Sequence, residues 1–238
     1  MTDYHQESEI IRHRDCIIIR LGINAPDINF EKFKVNGNKL EIYIKHNNVS
    51  FIFLNDLLKL NNQIKDLEIS FLQIIENNRF NQYFSNLLIN YTQLTSIKLR
   101  GTGRIPINQI LCKNLTNITF NHCQLSDDSA NNILNFIISS AKINPQRYYS
   151  LDLKENNFTY KFSQRLIYVL SSLTFIRFKY LSIDNSCFPQ HLCIKIISYI
   201  LFHNMNVQYL YIFFHYNIII ILLIVMKRIL LYYLMHYL

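Results

Sequence analysis

The residues that most constrain the fold lie in the segment Leu115–Leu125, which reads LTNITFNHCQL. Ile118 and Phe120 are two residues apart, so in an extended strand both side chains point to one face, whereas Thr119 points to the other. Cys123 follows the strand, where a small polar side chain can turn inward and hydrogen-bond backbone groups left open by the turn. A unit this short cannot bury its apolar face alone, so the pattern predicts that neighbouring segments repeat it.

The same spacing recurs along most of the chain. The window that begins at Tyr148 places Leu151, Leu153 and Asn156 at the matching positions. Windows that fit the pattern wholly or partly begin at Cys16, Lys39, Ile64, Leu94, Leu115, Tyr148, Phe178 and Val207. Successive windows are mostly separated by roughly 20 to 30 residues, which leaves room for one strand and one linking segment in each unit.

Several linking segments have the apolar spacing of helices. Ser126 is a good N-cap for one of them, and Asp127 and Asp128 suit the positively polarised start of a helix. The apolar residues at helical spacing are Ala130, Ile133, Leu134, Ile137, Ile138 and Ala141 in this segment, Phe162, Leu166, Val169, Leu170 and Leu173 in a later one, and Phe80, Tyr83, Phe84, Leu87 and Leu88 in an earlier one.

One strand followed by one helix in units of this length resembles the ribonuclease-inhibitor-like class of leucine-rich repeat proteins. The resemblance covers about residues 16–215 and is strongest over 94–190. It implies an α/β solenoid in which a curved parallel sheet lies inside and helices lie outside. The chain departs from the family in its scarcity of glycine, with 4 in all, and only Ala130 supplies the small residue that usually starts such helices. The expected domains are a polar arm (1–15), the solenoid (16–217) and a hydrophobic tail (218–238).

In such a solenoid the residues that alternate with the inward pair face the concave side of the sheet. Their charges change sign from strand to strand, whereas a phosphate-binding face would be uniformly basic. We therefore expect a non-enzymatic scaffold that binds a partner protein, not a nucleic acid, on the concave face. The candidate contact residues are Lys98, Arg100, Asn117, Thr119, Asp152, Lys154, Tyr180 and Asp184. Tyr180 is the strongest single candidate, because tyrosine is enriched at binding hot spots.

Composition and motifs exclude other classes of function. The net charge of +8 accompanies a general excess of Ile, Asn and Lys, so it does not by itself indicate a basic ligand-binding surface. Five cysteines without a C-x-x-C pair predict free thiols in a reducing compartment, hence a cytoplasmic location. Cys187, His191 and Cys193 have no fourth partner with metal-ligand spacing. No nucleophile–base or paired-carboxylate arrangement is present, so we expect no catalytic residues, metal or cofactor.

The two ends of the chain differ from the repeats. Residues 1–15 are polar and lack a basic segment followed by an apolar one, which predicts no signal peptide. From Val207 onward the chain is almost entirely apolar, although a solenoid needs a polar outer cap. Gln208–Met226 is long enough to span a bilayer, with Lys227 and Arg228 beyond it, which would anchor the repeats to a membrane.

Two other interpretations of the tail stay open. Ile218–Leu238 can form a helix that folds back as an apolar cap or a dimer contact, with its basic residues reaching water. Alternatively, the tail is a non-native extension translated from AT-rich non-coding DNA. The chain can also be a fragment of a larger repeat-containing regulatory protein, such as a kinase.

Overall fold

The described part of the chain contains both strands and helices, and most neighbouring strands there are parallel, which makes this an α/β protein. The computed structural model describes residues 9–12, 16–21, 37–44, 51–61, 63–71, 93–101, 112–184, 207–214 and 217–221. The chain divides into two units, Met1–Gln124 and Leu125–Leu238.

The described part of the first unit consists of six strands and one helix. These are β1 (Glu9–Arg12), β2 (Cys16–Leu21), β3 (Lys39–Ile44), α1 (Phe51–Leu60), β4 (Asp66–Phe71), β5 (Ser96–Arg100) and β6 (Asn117–Asn121). β1 pairs with β2 in antiparallel orientation, and β2 to β6 follow one another as parallel neighbours in chain order. The N-terminal segment expected to be a polar arm therefore includes a strand of the sheet.

Alternation of apolar and polar residues places one face of these strands in the core. The register aligns Ile42, Ile69, Leu99 and Phe120 in one row, and every one of these side chains is fully buried. Full burial of an aliphatic or aromatic side chain contributes about 1.5–3 kcal/mol. The rows of apolar side chains therefore hold consecutive strands together, as expected when each strand cannot bury its face alone.

Backbone hydrogen bonds repeat with the same register from strand to strand. The first amide of β4, Asp66 N, donates to Asn38 O at 2.9 Å. Ser96 N donates to Lys65 O at 3.0 Å, and Asn117 N donates to Thr95 O at 3.0 Å. In each case the acceptor is the residue that precedes the neighbouring strand. The described parallel strands of this unit thus follow one geometric rule.

The predicted windows agree with this register in one part of the unit and are wrong in another. The windows that begin at Ile64, Leu94 and Leu115 are in register, and these three residues are buried. The windows that begin at Cys16 and Lys39 start two residues too late. The first inward residue of β4, Leu67, pairs with Leu40 and not with Ile42, and Leu40 in turn pairs with Ile17. A slip of two residues keeps Ile42 and Ile44 on the buried face, so the alternation of apolar residues alone could not detect it.

The second unit contains two helices and four strands in its described part. These are α2 (Asp127–Ile143), β7 (Tyr148–Asp152), α3 (Tyr160–Ser172), β8 (Arg177–Asp184), β9 (Val207–Phe214) and β10 (Asn217–Ile221). β7, β8 and β9 are parallel, and β10 pairs with β9 in antiparallel orientation.

Both helices of this unit confirm the sequence prediction. Ser126 caps α2, and its hydroxyl accepts a hydrogen bond from Ser129 N at 3.4 Å. The apolar faces of α2 and α3 are buried, including Ile133 and Ile137 on the first helix and Leu166 on the second. The predicted helical residues between Phe80 and Leu88 lie outside the described residues, as does Ser186, which takes the Asn or Cys position in the window that begins at Phe178.

Two predictions about the second unit are wrong. The window that begins at Tyr148 puts this residue at the first apolar position of the repeat, but Tyr148 is 41% exposed and Tyr149 is fully buried instead. The register of β7 and β8 shifts between Tyr149 and Ser150, and this irregularity accompanies the exchange of positions. A helix over Ile218–Leu238, one of the three interpretations left open for the tail, is also wrong for Ile218–Ile221, which lie in strand β10.

The structure also bears on the predicted membrane span. Most of the first half of Gln208–Met226 lies in the antiparallel strands β9 and β10, so this part is not a helix. Among the described residues, no helix combines the length and hydropathy that crossing a bilayer requires. The tail beyond residue 221 lies outside the described part of the chain.

Candidate protein-binding face

The polar side chains of β3 to β6 lie together on the side of the strands opposite the core. Parallel pairing aligns these residues across neighbouring strands, so that each row contains one residue from each strand. We call this surface the polar face; it comprises Lys39, Glu41, Tyr43, Asp66, Glu68, Ser70, Ser96, Lys98, Arg100, Asn117, Thr119 and Asn121. Four of the eight predicted contact residues are therefore neighbours: Lys98 and Arg100 on β5, and Asn117 and Thr119 on β6.

Acidic side chains on the polar face are held by neighbouring basic ones. Lys98 Nζ lies 2.7 Å from Glu68 Oε1 on the adjacent strand, and the Glu68 residue is 8% exposed. Lys39 Nζ lies 2.5 Å from Glu41 Oε1 within β3. Tyr43 donates its hydroxyl hydrogen to Glu41 Oε2 at 3.1 Å. Much of the charge on β3 and β4 is thus compensated within the face itself.

These contacts change the protonation of three groups. The hydrogen bond to Glu41 raises the pKa of Lys39, although partial burial opposes the shift. Burial raises the pKa of Glu41, but the hydrogen bonds and charge of Lys39 and the hydroxyl of Tyr43 outweigh burial and lower it overall. Burial, together with the charges of Glu68 and Glu41, raises the pKa of Tyr43 to about 12. All three groups therefore keep their ordinary charge at neutral pH.

The sign of charge on the polar face changes between adjacent strands. β4 presents Asp66 and Glu68, and β5 presents Lys98 and Arg100. β6 presents only uncharged hydrogen-bonding groups, namely Asn117, Thr119 and Asn121. The basic strand thus lies between an acidic neighbour and an uncharged polar one.

Buried side chains after the strands hold the turns that leave the sheet. Cys123 is fully buried, and its Sγ lies 3.4 Å from Leu99 O and 3.2 Å from Asn121 O. In the second unit, Asn156 is 3% exposed and accepts a hydrogen bond from Leu125 N at 3.1 Å. Its Nδ2 donates to Leu153 O at 3.0 Å and to Lys154 O at 3.1 Å. Inward hydrogen bonding was predicted for both side chains, and it is confirmed.

The backbone before these two residues has the same unusual conformation. His122 and Glu155, which precede Cys123 and Asn156, have φ angles of 55° and 56° in the left-handed region. The two turns therefore share a local backbone conformation and a buried hydrogen-bonding side chain.

The remaining predicted contact residues lie in the second unit. Asp152 is 8% exposed and its Oδ2 lies 3.5 Å from Lys154 Nζ, so its carboxylate offers little surface to a partner. Tyr180 is half-buried and pairs in register with Ser150. Asp184 ends strand β8, and its side chain is outside the described part. The second unit therefore brings fewer exposed candidates together than the polar face of the first.

Sequence reasoning missed the group formed by Lys39, Glu41 and Tyr43. The misplaced window at Lys39 assigned that residue to an inward position, although it lies on the polar face. The alternation in KLEIYI was the available signal, because it places Lys39, Glu41 and Tyr43 on the face opposite the leucine and isoleucines.

Among the described residues, no group of three or more His, Cys, Asp or Glu side chains can hold a metal ion. Cys187, His191 and Cys193 lie outside that part of the chain. No protein-family model matches the sequence, and no curated protein or solved structure is significantly similar to it.

Proposed function

We propose that this chain is a non-enzymatic leucine-rich-repeat scaffold that recognises a partner protein on the polar face. The observation that carries the proposal is the run of parallel strands β3 to β6, each with apolar residues in the core and polar residues on the opposite side. The two equivalent turns at Cys123 and Asn156 support the repeat architecture, because each buries a hydrogen-bonding side chain after a strand.

A rigid array of strands suits recognition by a row of side chains rather than by a closed pocket. Adjacent strands are about 4.8 Å apart, so β3 to β6 present side chains across roughly 14 Å. The apolar rows beneath them are fully buried, which fixes the backbone that carries the polar side chains. A partner can therefore contact several side chains whose positions are fixed before binding.

The charges of the polar face favour a protein over a nucleic acid. A nucleic-acid-binding surface neutralises phosphates with clustered Lys and Arg side chains. Here Glu68 pairs in register with Lys98, and Asp66 lies two residues before Glu68 on the same strand. A surface with both signs complements another protein, whose charges can be arranged in the opposite order.

Site-specific photo-crosslinking in the full-length chain tests this proposal. A photoreactive phenylalanine derivative at Asn117, an exposed position of the polar face, should give a discrete covalent adduct with a partner protein in cells. The same residue at Tyr168, which is 52% exposed on helix α3, serves as the control and should give no such adduct. Adduct formation from Tyr168 alone, or from neither position, contradicts recognition on the polar face.

A further inference from the structure

The basic strand β5 is the most accessible charged part of the polar face. Lys98 and Arg100 are both exposed. Glu68, on the neighbouring acidic strand β4, is only 8% exposed. Arg100 forms no ion pair with any described residue, so its guanidinium is accessible to a ligand on the polar face. An exposed guanidinium presents planar, paired N–H donors that match the two oxygens of a carboxylate.

Lys98 can bind a second acidic group while it keeps its contact with Glu68. Its side chain is 46% exposed even though its Nζ lies 2.7 Å from Glu68 Oε1. An ammonium group has three N–H donors, and this ion pair uses only part of that capacity. The two cations of β5 are therefore both available on their exposed side.

The neighbouring strands restrict where an acidic ligand can lie. On one side, the carboxylates of Asp66 and Glu68 on β4 repel a negative group. On the other side, Asn117 and Thr119 on β6 carry hydrogen-bonding groups and no charge. An acidic segment is thus favoured over β5 and β6 and disfavoured over β4.

The spacing of the cations indicates the conformation of the ligand. Lys98 and Arg100 are two residues apart on one face of a strand, which separates their Cα atoms by about 6.6 Å. An extended peptide with acidic residues at alternate positions has the same period, so its two carboxylates can meet the two cations together.

We propose that the partner presents an extended acidic segment, with Asp or Glu at positions i and i+2, that lies along β5 and β6. Arg100 binds one carboxylate through paired hydrogen bonds, and Lys98 binds the other. Thr119 and Asn121, which pair in register with Lys98 and Arg100, supply hydrogen bonds beside them. This inference rests on the proposed function and names the chemistry of its partner.

The test measures fluorescence anisotropy of short labelled peptides added to the full-length chain. One peptide has Asp-Thr-Asp at its centre; the others have Asp-Asp-Thr, Asn-Thr-Asn or Lys-Thr-Lys in the same Ser/Gly context. The alternating acidic peptide should bind most tightly, and its binding should weaken as salt is raised. Arg100→Gln should weaken it by about tenfold and Lys98→Gln by less, because Lys98 remains partly engaged with Glu68 in the free protein.

Two variants make the interpretation specific. Lys161→Gln removes an exposed positive charge on helix α3 and should leave peptide binding unchanged. Arg100→Glu should abolish binding of the acidic peptide and increase binding of the Lys-Thr-Lys peptide. Circular dichroism of each variant checks that the fold is kept, which is expected because the Arg100 side chain is exposed.

Failure of this inference is distinguishable from failure of the proposed function. If Arg100→Gln binds the acidic peptide as tightly as the wild type, the inference is wrong. If a neutral or basic peptide binds better and Asn117→Ala weakens that binding, the partner chemistry is wrong but recognition on the polar face stands. If Arg100→Gln instead dissociates a dimer in light scattering, the occupant is a second copy of the chain and the inference is wrong. If no peptide responds to a polar-face substitution and crosslinking from Asn117 gives no adduct, both proposals fail.

Discussion

Replacing Asn156 with alanine should destabilise the second unit strongly. The side chain is 3% exposed, and it joins the turn after β7 to the backbone at Leu125. Its amide group donates to the carbonyl oxygens of Leu153 and Lys154, and its Oδ1 accepts from Leu125 N. Alanine removes all three hydrogen bonds, because its side chain has no donor or acceptor.

The magnitude follows from how many backbone groups lose their partner. The hydrogen bonds at Leu125 N and Leu153 O are buried, whereas the one at Lys154 O is partly accessible to water. A buried polar group without a partner costs about 1–3 kcal/mol, and a hydrated one costs little. We therefore expect a loss of about 3 kcal/mol, which at a urea dependence of about 2 kcal/mol per molar lowers the midpoint by about 1.5 M.

Urea unfolding followed by circular dichroism measures this change, and Asn157→Ala provides the matched control. Asn157 is the next residue and is exposed, so its replacement should change the free energy of unfolding by less than about 0.5 kcal/mol. Hydrogen exchange of the Leu125 amide should become faster in Asn156→Ala and stay unchanged in the control. Equal midpoints for the two variants, with unchanged exchange at Leu125, would refute the structural role of this hydrogen-bond network.

Three further perturbations test other parts of the structure. Gly101 has a φ of 69°, and an added Cβ would lie 2.5 Å from Phe71 O, so Gly101→Ala should cost about 2–4 kcal/mol in thermal unfolding; an unchanged melting temperature would contradict this close approach. The pKa of Tyr43 is raised to about 12, so its contribution to stability is complete below about pH 10, the pKa of unfolded tyrosine, and is lost as pH rises through about 12. Tyr43→Phe should reduce the loss of stability over that interval in urea titrations at several pH values, and an identical pH profile would argue against the shift. Asp127→Ala removes the acceptor of Thr159 N at 2.8 Å and of the Thr159 hydroxyl, so it should destabilise the start of α3 by about 1 kcal/mol, whereas Asp128→Ala should not do so in the same unfolding assay.

The sequence predicted the parts of the fold that depend on local pattern. The inward positions of Ile118 and Phe120 and the buried roles of Cys123 and Asn156 follow from spacing within a few residues. The cap at Ser126 was equally accessible, because an N-cap acts on amides within the first turn of its own helix.

The errors arose where several arrangements satisfy the same pattern. In β3, the apolar residues Leu40, Ile42 and Ile44 fit the repeat pattern in two registers that differ by two residues. Only the pairing with β4 distinguishes these registers. The exchange of Tyr148 and Tyr149 accompanies a local shift between β7 and β8 that two adjacent tyrosines do not reveal. A short apolar run has no distinct helical or strand period, which is why a helix from Ile218 was among the interpretations of the tail, although Ile218–Ile221 lie in a strand.

The polar face was predictable in composition but not in its contacts. Alternation in the sequence is enough to place Lys98 and Glu68 on the same side of their strands. Their ion pair requires that the two strands be neighbours in a particular register, and that information belongs to the pairing of distant segments. The open guanidinium of Arg100 depends on the same pairing.

The uneven spacing of the strands in the first unit has a consequence for how this chain can tolerate change. Each parallel pair joins segments that are about 20 to 30 residues apart in sequence, as Cys16 with Lys39 and Asp66 with Ser96 show. The entropy lost on closing a flexible connection grows only with the logarithm of its length, so doubling such a connection costs about 0.6 kcal/mol. Insertions between strands therefore reduce the free energy of unfolding less than changes to the buried rows do. The length of the connections can vary while the register of the sheet is kept.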